Sequence, residues 1–176
     1  VSIVFTPANA IPSGGTITIN TPFNYFADRA ANSAVGVSSI TCANACNTAA
    51  VGNVAVTNTA ASGSTAAFGT VTVVVATAAT TASAITLQLG AGTLTTGRPQ
   101  AGTAAGVTVS TSRDVASAGS ASQALGGQVT VGTPLTVAAG DLVGNKATQS
   151  VVSIVFTPAN AIPSGGTITI NTPFNY

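Results

Sequence analysis

The chain has 176 residues, of which four are Lys or Arg and three are Asp, with no Glu, His, Met or Trp. General acid–base catalysis needs a positioned group that titrates near the working pH, and three Asp and two Cys are the whole supply, so an enzyme is not expected and no cofactor is implied. A net charge of +1 leaves no electrostatic footprint for nucleic acid or an acidic membrane, and neither is expected as a partner.

Apolar and polar residues alternate at a period of two in short runs, separated by Gly, Pro, Asn and Ser clusters, which is the pattern of an all-β sandwich or barrel. A first strand is expected to end at Phe5 and a second to begin at Thr16, where Ile17 and Ile19 point one way and Thr16 and Thr18 the other. The connection between them carries Pro7 and Pro12 and closes on Gly14–Gly15, whose freedom at positive φ suits a tight re-entry. No helix follows the glycine pair, so it does not read as a phosphate-binding loop. Residues 22–34 have no apolar stripe and read as a loop with at most one helical turn. Weaker strands are expected at 35–41 and 51–57. The most apolar run, 71–89, holds five Thr, one Ser and one Gln, and splits into two alternating halves, Val71/Val73/Val75 and Ile85/Leu87/Leu89. It is expected to form a hairpin, not a membrane span, and no membrane insertion is predicted. Further on, Val107 and Val109 alternate with Thr108 and Ser110, residues 128–131 and 135–137 form weaker strands, and residues 147–156 read as one uninterrupted strand.

That last run leads into a duplication: residues 152–176 reproduce residues 1–25 at all 25 positions. The chain is therefore expected to hold one full 151-residue unit, 1–151, cut inside a strand, followed by the start of the next unit, 152–176. Identity this complete implies recent homogenisation of an array, a deliberately made duplicate, or one consensus imposed on every repeat of a symmetric assembly. No Pro-rich or Gly/Ser linker precedes the second copy, so adjacent units are expected to share strands or abut, giving a stiff rod. The junction residues are Val151, Val152, Ile154, Phe156, Pro158, Pro163, Gly165 and Gly166, and the partners are identical repeats of the same chain or neighbouring copies. Exchange of a terminal strand between separate subunits competes with this arrangement. Strand donation does not require identical strands, however, and the duplicate spans two strands and a turn, which makes chain continuation simpler.

Charged residues make up 4% of the chain against about 25% in a typical soluble domain, and 29 Thr and 16 Ser stand in for them as the polar surface. Such a surface does not repel its own copies, so the protein is expected to assemble or to carry a coat. No Asn is followed by Ser or Thr two positions on, which argues against N-linked glycans. Covalent O-linked glycans remain, with Thr59, Ser62, Ser64, Thr80, Thr81, Ser117 and Ser120 as candidate acceptors in Ser/Thr/Ala-rich loops. Cys42 and Cys46 are too few, without His, for a zinc site, and read as a disulfide closing a local turn in an oxidising compartment. The three Asp are too few and too scattered for a calcium site. Opposite charges at Asp28–Arg29 and Arg113–Asp114 read as solvated loop charges, or as ion pairs that set the register between repeats.

The strings Phe5-Thr6-Pro7, Ile11-Pro12-Ser13-Gly14-Gly15-Thr16-Ile17-Thr18-Ile19 and Pro22-Phe23, with Gly106-Val107-Thr108-Val109-Ser110-Thr111-Ser112, resemble large secreted tandem-repeat proteins of unicellular algae and related protists. The resemblance implies an extracellular fibre or surface hair, glycosylated, and transfers no catalytic residue. All of this points to an immunoglobulin-like β-sandwich repeated head to tail in an extracellular filament. A cell-surface adhesin or carbohydrate-binding repeat is the alternative, with Tyr25–Phe26 as its aromatic patch. Ice binding by Thr-x-Thr rows and amyloid stacking fit less well, since the rows are sporadic, and Pro and Gly punctuation with a 151-residue period favours globular repeats over a short zipper.

Overall fold

In the computed structural model the chain is described over residues 1–34, 38–42, 49–76, 82–127, 129–145, 147–162 and 164–171. Extended backbone appears wherever β-branched residues alternate with hydroxyl-bearing ones, and the result is all-β. The first unit, Val1–Leu125, contains β1 (Ser2–Phe5), β2 (Thr16–Pro22), β3 (Arg29–Ser33), β4 (Ser39–Cys42), β5 (Ala49–Thr59), β6 (Phe68–Val75), β7 (Ile85–Gln88) and β8 (Thr108–Thr111). The second, Gly126–Tyr176, contains β9 (Thr130–Thr136), a 3-10 turn at Ala139–Asp141 and β10 (Ser153–Thr157).

In the first unit the strands form one nearly closed, barrel-like sheet in the order β1-β7-β4-β5-β6-β2-β8, with β3 added on β5. All the pairings are antiparallel. The 11-residue β5 joins two arms: Ala49 and Ala50 pair with β4, and beyond an irregularity between Val51 and Val54 the strand pairs with β6. Register then decides the core. Val54, Val73 and Ile17 form one cross-strand row and Val56, Val71 and Ile19 the next. On the other arm Ile40, Leu87 and Ile3 line up, as do Cys42, Ile85 and Phe5. These rows meet in a single apolar cluster, in which each fully buried Val, Ile or Leu contributes roughly 1.5–3 kcal/mol of gross burial. On the opposite face the same registers align Thr57, Thr70, Asn20 and Thr108, and beside them Ala55, Thr72, Thr18 and Ser110.

The connection from β1 to β2 runs from Thr6 to Gly15, as its prolines and glycines predict, but it joins strands that do not pair: β1 lies on β7 and β2 between β6 and β8. Its two glycines have different reasons to be there. Gly14 has φ +78°, whereas a Cβ on Gly15 would lie 2.8 Å from Ile11 Cγ2, Pro12 O and Ser112 Oγ.

Three expectations need correcting. Residues 71–89 do not make a hairpin, because β6 has both edges taken by β5 and β2, and β7 by β1 and β4. Residues 22–34 are not simply a loop: β2 continues to Pro22 and Arg29–Ser33 is β3. This strand has no apolar alternation to announce it. It is held by pairing to β5 and by the Arg29 guanidinium, which donates to the carbonyls of Val54 and, at 2.9 Å, Ser33. The third correction concerns the runs near the second copy. Residues 130–136 form one strand, not two separated by Gly132–Pro134, and the strand expected over 147–156 begins only at Ser153.

Candidate repeat junction, hydroxyl surface and seam

The second unit is a two-stranded antiparallel sheet of β9 and β10, with register shifts on either side of Val155. Of the junction residues, Ile154 and Phe156 are half-buried and alternate with the exposed Ser153 and Val155, repeating the in–out pattern of Ile3 and Phe5 in β1. Pro158 is half-buried, while Val151 (90% exposed), Val152, Gly165 and Gly166 are open to solvent. Pro163 lies outside the described residues. Gly165 has φ +80°, the same turn geometry as Gly14. Asp141 is buried here and accepts the Ser150 N–H at 2.9 Å.

The candidate glycan acceptors divide by their environment. Thr59, Ser62 and Ser64 are exposed around the turn that leaves β5, where Ser62 and Thr65 exchange backbone hydrogen bonds of 3.1 and 3.0 Å. Ser117 is exposed as a residue, but its hydroxyl accepts the Val109 N–H at 3.1 Å and donates to the Ala118 carbonyl at 2.9 Å. Ser120, also exposed, pairs through its backbone with Val107. Among the described candidates, Thr59, Ser62, Ser64 and Ser120 are exposed and make no side-chain hydrogen bond to a described residue, and three of them cluster at Thr59–Ser64. Thr80 and Thr81 lie outside the described residues. Cys42, half-buried on β4, is disulfide-bonded, and Cys46 lies outside the described residues.

The end strands of the sheet, β1 and β8, both border a cavity of about 1180 Å³. Ile3 and Phe5 line it from β1, Val107 and Val109 from the β8 segment, and Ile19 and Val71 from the core. Asn9 and Asp114, also on its wall, tie the two sides together: the Asn9 backbone N–H and Nδ2 donate to Asp114 Oδ1 at 3.1 and 2.7 Å. Thr111 Oγ1 donates to Asp114 Oδ2 at 2.8 Å. The Asn9 side-chain hydrogen bond, aided by Thr111, holds the Asp114 carboxyl below the usual carboxylate range. Nothing local in the sequence announces this pair, whose members are 105 positions apart; the scarcity of charge around Arg113–Asp114 was the single clue.

Asp28 is a second local anchor. Asp28 accepts both the backbone N–H and the Nδ2 of Asn58, at 2.7 and 2.9 Å. Tyr25 and Phe26 meet edge to face with centroids 5.0 Å apart. Phe26 is buried in the apolar cluster, which removes one of the two rings a carbohydrate platform would use. Among the described residues no three Cys or Asp side chains gather where they could hold a metal ion, and no helix is long and apolar enough to cross a membrane. Comparison with known protein families, with curated proteins and with solved structures finds no match to this chain.

Proposed function

We propose that the protein is a structural subunit of an extracellular filament or surface appendage built from tandem β-repeats, with O-linked glycans on its exposed hydroxyls. The observation that carries this is that one strand sequence has two different partners. Ser2–Phe5 pairs with β7 of its own unit, and its duplicate at Ser153–Thr157 pairs with β9, which precedes it in the chain. β1 ends its sheet and leaves one edge for such a neighbour, which is the arrangement a continuous array needs. Each repeat is taken as an immunoglobulin-like sandwich, with β1-β7-β4 and β6-β2-β8 as its two layers and β5 passing from one to the other. A disulfide at Cys42 suits an oxidising, extracellular setting. The hydroxyl rows on β5, β6, β2 and β8 give a neutral surface that does not oppose assembly.

Electron microscopy of the native material tests the proposal: filaments with an axial repeat of one 151-residue unit are expected, and isolated globular monomers would refute it. The glycan component is tested separately by intact mass. A value well above 16.8 kDa per 176 residues supports the coat, and the bare-chain mass removes it.

A further inference from the structure

The apolar rows of the first unit are fully covered in the middle of the sheet and lose cover at its two end strands. Leu87 and Ile40 are 0% exposed, but Ile3, the third member of their row, is half-buried. Ile19 and Val71 are 2% and 1% exposed, and Val109, which continues that row on β8, is half-buried as well. Phe5, Val107, Tyr25 and Leu94 share this condition, packed against the core without being closed over. All six line the cavity of about 1180 Å³ between β1 and β8. Side chains that face such a space lack contacts on one side, and an apolar guest supplies them.

A further strand does not bridge this space, because the edge of β8 that faces away from β2 is already hydrogen-bonded. Val107 exchanges backbone bonds of 2.9 and 2.7 Å with Ser120, and Thr111 N–H donates to the Asp114 carbonyl at 3.1 Å. Between them the Ser117 N–H donates to the Val109 carbonyl at 2.8 Å, and the Ser117 hydroxyl accepts the Val109 N–H. The Asn9–Asp114 bonds tie the two sides of the cavity together, so its walls are largely pre-formed. One charge on the wall is unpaired. Both oxygens of Asp114 accept hydrogen bonds, from Asn9 and Thr111. Arg113 bonds through its backbone, and among the described residues its exposed guanidinium has no partner. An apolar interior with one free planar cation on its wall suits a molecule with a hydrocarbon chain and a single carboxylate, which a guanidinium meets through two parallel hydrogen bonds. We propose that the cavity between β1 and β8 is a binding site for a long-chain fatty acid, with its tail among Ile3, Phe5, Val107 and Val109 and its carboxylate on Arg113. The site lies within the first unit and does not need the filament proposed above.

Titration of the full chain with palmitate, followed by native mass spectrometry and by displacement of a fluorescent polyene fatty acid, should give a 1:1 complex. Hexadecanol, with a chain of the same length and no charge, provides the comparison. Arg113→Gln should weaken palmitate roughly 10–100-fold, the worth of a charge-assisted hydrogen bond, and leave hexadecanol unchanged. Val109→Phe, which extends a ring into the cavity, should weaken both ligands by about tenfold or more while the circular dichroism stays that of the parent. If that variant does not fold, Val107→Phe makes the same test from the same wall. Three results would each overturn the inference: no complex with the wild-type chain, an unchanged ratio of palmitate to hexadecanol affinity in Arg113→Gln, or parental binding by the folded Phe variant. Filaments that bind no palmitate would end it and leave the repeat proposal standing, whereas palmitate-binding monomers would do the reverse.

Discussion

Truncating the same isoleucine in each copy separates sequence from environment. Ile19→Ala removes three carbons from a side chain that is 2% exposed, and at about 0.8 kcal/mol per buried carbon the transfer loss alone is about 2.4 kcal/mol. A cavity contribution can carry Ile→Ala losses up to about 5 kcal/mol. Ile19 already borders the open seam, so little new void is created and a value near the lower figure, about 2.5–3 kcal/mol, is expected. With a urea m-value of roughly 1–3 kcal/mol per molar, the midpoint of the first unit should fall by about 1–3 M. Ile170→Ala is the control. At 55% exposure it forfeits less than half of that burial, about 1 kcal/mol, and it does so in the second unit. Urea titrations of both variants, followed by far-ultraviolet circular dichroism in dilute solution, should show the main transition displaced for Ile19→Ala and in place for Ile170→Ala. Equal displacement would refute the reasoning, because it would mean that the two copies are equally buried.

The glycine pair makes a second contrast. Gly14→Ala meets no neighbour within 4 Å but is strained by φ +78°, and should cost roughly 1–2 kcal/mol. Gly15→Ala places its Cβ 2.8 Å from three atoms, and should cost about 1–3 kcal/mol by overpacking with displacement of Ile11; thermal melts rank the two. At the seam, Asp114 has a folded pKa held below its ordinary value of 3.8. Its contribution is therefore complete above that value and is lost as the pH falls through the lower folded value. Hydrogen exchange at the Asn9 amide should rise, relative to neighbouring amides, only below about pH 4, and Asp114→Asn should abolish that pH dependence. Replacing Ile154 or Phe156 by Asp should separate repeats before the first unit melts, read as shortened filaments by microscopy with an unchanged main transition; filaments as long as the parent's would exclude β10 as the junction.

Much of the first unit is legible from alternation alone. Ile17/Ile19, Val71/Val73/Val75 and Ile85/Leu87 are all buried on the faces their spacing predicts. Those runs carry their own signal, a bulky residue at every second place. Arg29–Ser33 offers only Arg, Ala, Asn and Ser, and its extension comes from β5, so nothing local could reveal it. Partner choice is less visible still. Strands β6 and β7 are neighbours in sequence, and adjacency favours a hairpin. Yet each has two better-registered partners elsewhere, with Ile17 and Val54 flanking Val73, and Ile3 and Ile40 flanking Leu87. The seam was illegible for the same reason, since Asn9 and Asp114 meet only after the whole sheet has closed.

The duplicate shows how far this limit extends. Thr16–Asn20 and residues 167–171 have the same propensity, the same alternation and the same glycine turn before them, yet one is a central strand and the other is not a strand. Intrinsic preference is identical, so the difference lies in what flanks them: β6 and β8 satisfy the backbone of the first and cover its isoleucines, and among the described residues no strand pairs with the second. A β-strand of this composition is thus a conditional element, extended when a matching sheet is present and open when it is not.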